Sequence, residues 1–436
     1  MPGIANKYFR IRVPAFSVCG MTSAPYALGV FRRPGAAPAR GDAPGDGARD
    51  GYGGEFTGLV VGDRVRDVNG LGSLNEMLAR WDDAQRRLDE LAASERSGTW
   101  TDLKELDVRC PVSPGQILQC GANYRRHVVD IVMAERRAEE SVTGHNSDVS
   151  EEEARQWAEA MMDERARSGA PYVFAGLSGA LAGPYDDVIL PERGTRHDWE
   201  LELAVVIGRP ARHLTRDNAL AHVAGYTICN DLTTRDLVYR RDLKAIGSDW
   251  FAAKNAPTFL PTGPYLVPAK FVTDPADLRI TLRHNGVVRQ DETTADMLFD
   301  LPAILVYITE ITELRPGDLV LTGSPAGNGM HWGVFLAAGD LIEGEITGLG
   351  SQRNHCVSKH GLSNHGVSEH GVSNHGVSER GVSNHGVSEH GVSEHGVSER
   401  GVSERGASND GVSEPCQPAV SATPGRRHAT RQESSR

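Results

Sequence analysis

Between Pro171 and about residue 350, apolar residues come in short runs of strand length, separated by turn-forming residues. Asn285-Gly286, inside one of these runs, predicts a tight hairpin turn. Only one segment in this part of the chain has helical spacing, at about 295–310. The predicted strands are DDVIL, DWELELAVVIG, HVAGYTICND, PYLVP, LRITLRHNGVVRQ, GDLVLTG and DLIEGEITG.

Two charged helices are predicted upstream of these strands. The run ILQCG (117–121) predicts a buried strand, and NYRRHVVDIVMAERRAEE directly after it predicts a helix. After a polar gap, Ser150 followed by three glutamates marks the start of a second helix that reaches about Ser168. Charged helices inserted between strands are typical of a mobile cover over a site, so we expect 123–168 to form a lid.

The N-terminal part predicts a small α+β domain at 21–110, after a disordered leader at 1–20. YALGVFRR and FTGLVVGDRVRDV predict paired strands joined by a long Gly- and Pro-rich loop, and a serine begins a predicted helix at 73–95. A larger catalytic domain is expected at 114–356. Many short strands with few helices predict an α+β fold built mostly as a β-sandwich or roll.

The end of the chain has a different texture. From Gly361 to Pro415 a five-residue unit such as GVSEH repeats, and glycine opens every unit. Regular glycines disfavour a helix, and an odd period would turn successive valines to opposite faces of a strand. We therefore predict a disordered repeat tail at 357–436. Its histidines suit weak metal binding, and the alternative is an in-frame tandem repeat without a function.

Composition excludes several classes of protein. The chain of 436 residues carries 46 Lys and Arg against 58 Asp and Glu, a net charge of −12 that argues against binding nucleic acid or an anionic membrane. No run approaches the roughly 20 apolar residues of a membrane span. The six cysteines contain no CxxC pair, which favours reduced thiols. A cytoplasmic enzyme or binding domain is predicted.

Carboxylates supply the strongest chemical signal. In DWELELAVVIG, Glu200 and Glu202 share one face of the strand, with Cα atoms about 6.5–7 Å apart. They would either bind one cation together or form the solvated face of an amphipathic strand. Asp231, at the end of the next apolar strand, adds a third carboxylate, and an oxygen-only set favours Mg²⁺, Mn²⁺ or Ca²⁺ over zinc.

Five motifs together resemble the fumarylacetoacetate hydrolase family in order and spacing. They are GANYRRH (121–127), HDWELELAVVIG (197–208), GYTICNDLTTRD (225–236), DWFAAKNAPTFLPTGPYLVP (249–268) and LRPGDLVLTGSPAGNG (314–329). The resemblance covers 114–356 and implies a β-rich roll with a helical lid, assembled as a homodimer. It also implies that Glu200, Glu202 and Asp231 bind a divalent cation, usually Mg²⁺ or Mn²⁺.

The same resemblance implies the catalytic residues. Family members carry a His–Glu pair three residues apart on the lid to activate water, which corresponds here to His127 and Asp130, with Asp where Glu is frequent. Without the resemblance, a histidine at the start of a helix is more often a cap or a surface residue than a catalytic one. Lys254 corresponds to a lysine that stabilises enolate or carbanion charge.

Substrate contacts are implied at four further positions. Arg235 has the guanidinium that suits a carboxylate, and Thr322 with Gly323 corresponds to a turn that contacts substrate through its hydroxyl and backbone. The segment VFAGLSGA (173–180) lacks the Lys-Pro pair that many relatives carry. A charge that would pair a second substrate carboxylate is therefore missing, and we expect His331 to line the pocket.

These assignments predict a divalent-metal-dependent hydrolase that cleaves a C–C bond in a 2-oxo or 1,3-dicarbonyl acid, as in the catabolism of aromatic compounds. The substrate would resemble fumarylacetoacetate or an acylpyruvate, and the reaction would use a metal-bound enolate and a His-activated water. The first alternative is a hydratase, decarboxylase or isomerase with the same metal site. A second is a non-catalytic metal-binding relative whose tail mediates interactions.

Overall fold

The computed structural model describes residues 25–34, 54–94, 98–143, 149–240, 242, 245 and 247–358. The predicted leader lies outside these residues, and so does the predicted tail apart from its first two positions. No helix in the described part of the chain is long and apolar enough to cross a bilayer.

A five-stranded antiparallel sheet with two helices forms the N-terminal part. Its strands lie in the order β4-β3-β2-β1-β5, and the predicted pairing of the first two apolar runs is confirmed. The predicted helix at 73–95 is in fact two helices, the first of which begins with a capping box at Ser73. The elements are β1 (Ala27–Arg32), β2 (Glu55–Val61), β3 (Arg64–Asp67), α1 (Leu74–Leu78), α2 (Trp81–Ala93), β4 (Trp100–Asp102) and β5 (Asp107–Arg109).

The rest of the described chain is rich in short strands, which confirms the α+β, mostly β, fold. Its elements are β6 (Ile117–Gly121), α3 (Arg125–Thr143), α4 (Glu151–Ser168), β7 (Tyr172–Gly176), β8 (Leu181–Ala182), β9 (Val188–Leu190), β10 (His197–Asp198), β11 (Leu201–Ile207), β12 (Val223–Asn230), β13 (Thr233–Thr234), α5 (Trp250–Lys254), β14 (Leu260–Pro261), β15 (Val267–Pro268), β16 (Arg279–His284), β17 (Val287–Thr293), α6 (Leu301–Ile311), β18 (Leu319–Leu321), α7 (Gly329–Trp332), β19 (Leu341–Ile346) and β20 (Gly350–Ser358).

A six-stranded mixed sheet lies at the centre, in the order β15-β12-β11-β18-β6-β7. Strand β11 is antiparallel to both of its neighbours, β12 and β18, while β18 runs parallel to β6. Every residue of β11 and β12 is buried. A solvated polar face on β11 is thereby excluded, since this strand is covered on both sides.

The second large sheet has the order β17-β16-β19-β20-β9 and packs against the first. Strands β11 and β19 meet at Gly344, where a Cβ atom would lie 2.6 Å from Cδ1 of Leu201. The hairpin between β16 and β17 turns at Asn285 and Gly286, whose φ angles of 51° and 80° confirm the predicted tight turn.

Both lid helices form close to their predicted positions. Ser150 caps α4 through a capping box, in which its side chain and that of Glu153 each accept the other's backbone N–H. By contrast, α6 starts later than the predicted 295–310. Its N-cap is Asp300, and the backbone before it bonds Asn123 instead, with Leu298 N donating to Asn123 O at 2.7 Å.

Strand β20 ends at Ser358, two residues beyond the predicted domain end, and pairs in parallel with β9. A chain that stops after Arg353 loses the buried Asn354 and Cys356, which we expect to cost about 2 kcal/mol or more of unfolding free energy. Its melting temperature should fall by roughly 2–4 °C per kcal/mol. A chain that stops after Ser358 is the control and should melt like the full protein, because the repeat has too few apolar residues to bury. Equal melting of all three chains would contradict this role of β20.

Candidate metal centre and active site

Three carboxylates converge where β11 begins and β12 ends. Antiparallel pairing sets Leu201 opposite Asn230, so Glu200 and Asp231 are adjacent, and the backbone N–H of Asp231 donates to Glu200 O at 2.8 Å. Each of Glu200, Glu202 and Asp231 offers a carboxylate oxygen within 4.8 Å of the other two. All three residues are at most 5% exposed. Their spacing and oxygen chemistry fit one divalent cation.

Neutral donors fix one oxygen of each carboxylate. The N–H of Gly323 donates to Glu202 Oε2 at 2.8 Å, and Gln119 Nε2 donates to Asp231 Oδ1 at 2.6 Å. Thr233 Oγ1 donates to Glu200 Oε2 at 2.8 Å. The carboxylates are therefore held in place by the backbone and by their neighbours in the sheet.

Two buried cations border the same cluster. Lys254 Nζ donates to Glu200 Oε2 at 2.5 Å and to Asp231 Oδ2 at 2.6 Å. Arg235 spans two acids, since its Nε donates to Asp198 Oδ2 at 2.7 Å and its Nη2 donates to Glu200 Oε1 at 2.5 Å. With their side chains 3% and 10% exposed, both cations are almost fully enclosed.

The charges in this cluster do not cancel. Four buried acids (Asp198, Glu200, Glu202 and Asp231) face two bases (Lys254 and Arg235), which leaves an excess of two negative charges when all are ionised. Unbalanced charge is costly in a buried site. A single divalent cation would neutralise this excess.

The pKa values follow from burial and from these neighbours. Burial, with the charges of Asp231 and Glu200, raises the pKa of Glu202 well above its ordinary value. Burial and the nearby Glu200 also raise the pKa of Asp231 to about 6, against the opposing charge of Lys254. Burial raises the pKa of Glu200 too, but Arg235 and Lys254 outweigh it and leave that pKa low. Protons compensate part of the negative charge where no cation does.

The imidazole of His127 lies against this cluster from the lid. Its Nε2 is 3.5 Å from Glu200 Oε1, and its Nδ1 is 3.3 Å from the side-chain Nδ2 of Asn328. Burial lowers the pKa of His127 to about 4, so the ring is neutral at physiological pH. Helix α3 therefore places the ring of His127 beside the carboxylates.

The expected pairing of His127 with Asp130 does not form. Asp130 Oδ2 lies 3.1 Å from Nδ1 of His331, on α7, so the lid carboxylate orients a different histidine. Each side chain instead lies next to a partner outside α3, Glu200 for His127 and His331 for Asp130.

The other residues expected to contact substrate all bond to protein groups. Arg235 is held by two acids, and Thr322 Oγ1 donates to Leu203 O at 3.0 Å. Gly323 supports Glu202, and its φ of 95° with a would-be Cβ 2.9 Å from Cys120 O explains the need for glycine. These positions build the walls of the site.

Three further residues of the site were not predicted from the sequence: Gln119, Asn328 and Asp198. Gln119 had a detectable signal, because a glutamine inside an apolar strand must find a partner when buried. Asp198 accepts the backbone N–H of Gly329 at 2.5 Å, a contact made across 131 residues of sequence. Neither that contact nor the one between Asn328 and His127 could be read from a local pattern.

Comparison with known proteins assigns this architecture to a protein family. The family model described as fumarylacetoacetate (FAA) hydrolase C-terminal matches residues 116–357, more than half of the chain. The chain belongs to the fumarylacetoacetate hydrolase family. Among solved structures, the fumarylacetoacetate hydrolase from Exiguobacterium antarcticum has a TM-score of 0.57 and 26% identity, covering 77% of this chain and all of that one.

Curated relatives within this family carry different activities. The human mitochondrial oxaloacetate tautomerase FAHD2B is 40% identical over 182 residues, which are 41% of this chain and 57% of that protein. The 2,4-didehydro-3-deoxy-L-rhamnonate hydrolase of Sphingomonas sp. (strain SKA58) is 40% identical over 186 residues, 42% of this chain and 64% of that protein. The chain thus matches less than two thirds of the length of either relative.

The role of Glu202 is tested by Glu202→Gln, which removes a charge but keeps the shape and the acceptor for Gly323. Affinity for Mg²⁺, measured by calorimetry, should fall more than about a hundredfold, beyond the effect of a supporting residue. The melting temperature of the metal-free protein should not fall, because burial already raises the pKa of Glu202 and a neutral amide replaces a carboxyl group that favours its neutral form. The matched control is Glu313→Gln, on the surface, and it should bind Mg²⁺ normally. Unchanged affinity in Glu202→Gln would contradict the assignment of this strand.

Metal affinity should depend on pH with a definite sign. The raised pKa values of Glu202 and Asp231 mean that the metal-free cluster holds protons near pH 6 and loses them as the pH rises. A cation must displace these protons. The affinity for Mg²⁺ should therefore increase as the pH rises from about 5.5 to 7.5, by about tenfold per pH unit for one displaced proton. Calorimetry in buffers of different ionisation enthalpy counts the protons released. Affinity independent of pH would show that the carboxylates are already ionised.

Proposed function

We propose that this protein is a divalent-metal-dependent tautomerase of 2-oxo dicarboxylic acids related to oxaloacetate, with Mg²⁺ or Mn²⁺ held by Glu200, Glu202 and Asp231. The observation that carries the proposal is the environment of His127. Water activation requires a ring nitrogen that is free to accept a proton and a carboxylate behind the ring. Neither nitrogen of His127, the histidine that lies against the acidic cluster, meets this description, whereas proton transfer beside an oxo group needs no activated water.

The relatives support the same choice of reaction. The tautomerase FAHD2B is among the proteins most similar in sequence, at 40% identity over 182 residues. A bound divalent cation would act as a Lewis acid on the oxo group and lower the cost of forming an enolate.

The protein's own side chains complete the electrostatic environment. Lys254 Nζ lies between Glu200 and Asp231, two of the acids that would hold the cation, and its ammonium group would stabilise negative charge that develops beside them. The neutral ring of His127 adds a hydrogen-bond donor beside the cluster without adding charge. Burial excludes water that would weaken both effects.

Hydrolysis of a C–C bond is the second candidate. The 40% identity to 2,4-didehydro-3-deoxy-L-rhamnonate hydrolase favours it. It shares the metal and the enolate and adds a water attack. The homodimer and the cytoplasmic location stay predictions, and the human relative FAHD2B is a mitochondrial protein.

The two candidates differ in product. With Mg²⁺, the protein should accelerate the ketonisation of enol-oxaloacetate, followed by loss of enol absorbance, and chelation should abolish this activity. Lys254→Met should slow the reaction by about 10²–10⁴-fold, the range of one well-placed electrostatic or proton-transfer group. Lys270→Met is the matched control, since this lysine follows β15 and pairs with Asp89 of α2. Release of pyruvate and a carboxylic acid from an acylpyruvate, without acceleration of ketonisation, would replace the tautomerase with the hydrolase.

A further inference from the structure

The contact between Asp130 and His331 joins two elements that are far apart in sequence. Asp130 lies on the lid helix α3, and His331 lies on α7, directly after the glycine-rich turn. Their side chains are 16% and 30% exposed, so solvent reaches this pair in part, whereas the acidic cluster is buried. A second histidine next to a carboxylate is thus available beside the candidate active site.

The two histidines differ in which nitrogen can accept a proton. Asn328 Oδ1 accepts the backbone N–H of His331 at 3.2 Å, which directs the Nδ2 amide of Asn328 toward Nδ1 of His127. Nδ1 of His127 is then the acceptor, so Nε2 of the neutral ring carries the hydrogen and lies 3.5 Å from Glu200 Oε1. Neither nitrogen of His127 is therefore a free proton acceptor.

His331 has the complementary arrangement. The Asp130 carboxylate lies 3.1 Å from Nδ1 of His331, which favours a hydrogen on that nitrogen and leaves Nε2 as the acceptor. Within the described part of the chain, Nε2 of His331 has no hydrogen-bond partner. The ring packs edge-on against Trp332, with the two ring centroids 4.7 Å apart. A carboxylate behind one nitrogen and a free lone pair on the other is the arrangement of a general base.

A chain of hydrogen bonds fixes the position of His331 relative to the acidic cluster. Asn328 contacts both histidines, and the next two backbone N–H groups, of Gly329 and Met330, donate to Asp198 at 2.5 and 3.1 Å. Asp198 in turn binds Arg235, which binds Glu200. Since Asp130 is three residues after His127, the pair lies about 4.5 Å farther along the lid helix than the ring that touches the cluster.

We infer that His331 is the proton-transfer residue of the proposed tautomerase, and that Asp130 is its positioning residue. This inference rests on the proposed function. From the keto side, Nε2 of His331 takes the proton from the carbon beside the oxo group, and the C–H electron pair becomes the new C=C bond. The carbonyl electron pair moves to oxygen and gives the enolate. The imidazolium, stabilised by Asp130, then returns the same proton to the enolate oxygen and the enol is complete.

The experiment measures exchange of that carbon-bound proton of oxaloacetate in D₂O by NMR, with the full chain and Mg²⁺. In His331→Ala and His331→Gln, exchange should fall about 10²–10⁴-fold, while KM and Mg²⁺ affinity stay unchanged. Added imidazole should restore part of the rate in His331→Ala but not in the more crowded His331→Gln. Asp130→Asn should lower kcat at least about tenfold without changing KM. The matched control, His222→Ala, alters a half-buried histidine whose ring contacts Pro210 O, and it should exchange normally.

The outcomes separate the two claims. If the unmodified protein does not exchange this proton, the proposed function is wrong. If it does, and both His331 variants exchange at the normal rate, the assignment of His331 is wrong. Variants with lower melting temperature or higher KM, and no response to imidazole, would show that Asp130 and His331 only fasten the lid. Rescue by imidazole with unchanged Mg²⁺ affinity supports the inference.

Discussion

The excess of negative charge buried between β11 and β12 is the constraint on which the rest of the site depends. Asp198, Glu200, Glu202 and Asp231 lie in a region that excludes water, and Lys254 and Arg235 offset only half of their charge. Proteins do not maintain such an excess without compensation by protons or cations. Holding this charge in one place requires hydrogen bonds to the carboxylate oxygens, the two buried side-chain cations, and the glycine at position 323 whose N–H supports Glu202.

The lid and the loop after β18 form a second layer around this charge. They meet through two histidines with different environments, one neutral and enclosed, the other paired with a carboxylate and partly open. Each is connected to the acidic cluster, His127 directly and His331 through the backbone that binds Asp198. The cluster therefore determines where both rings lie, which links metal binding to the position of the groups that move protons.

Much of this arrangement could be predicted from the sequence, because it depends on local pattern. Alternation in β11 set Glu200 and Glu202 on one face, and the abrupt end of the next apolar strand marked Asp231. Contacts between distant segments could not be predicted in this way. The pairing of Asp130 with His331 depends on how a lid helix docks against a loop 200 residues later, and the resemblance to relatives suggested His127 as the partner instead. Burial of both faces of β11 could likewise not be predicted from its sequence, because it depends on the packing of a second sheet at Gly344.

The most direct test of the account is the location of a bound cation. Crystals grown with Mn²⁺ and measured for anomalous scattering should show one strong peak within bonding distance of Glu200, Glu202 and Asp231, at full occupancy and neutral pH. Lys254 should remain beside this peak. A map without a peak there, or with the manganese bound elsewhere while the three carboxylates keep their contacts, would show that Lys254, Arg235 and protons alone balance the charge and that the proposed metal centre is wrong.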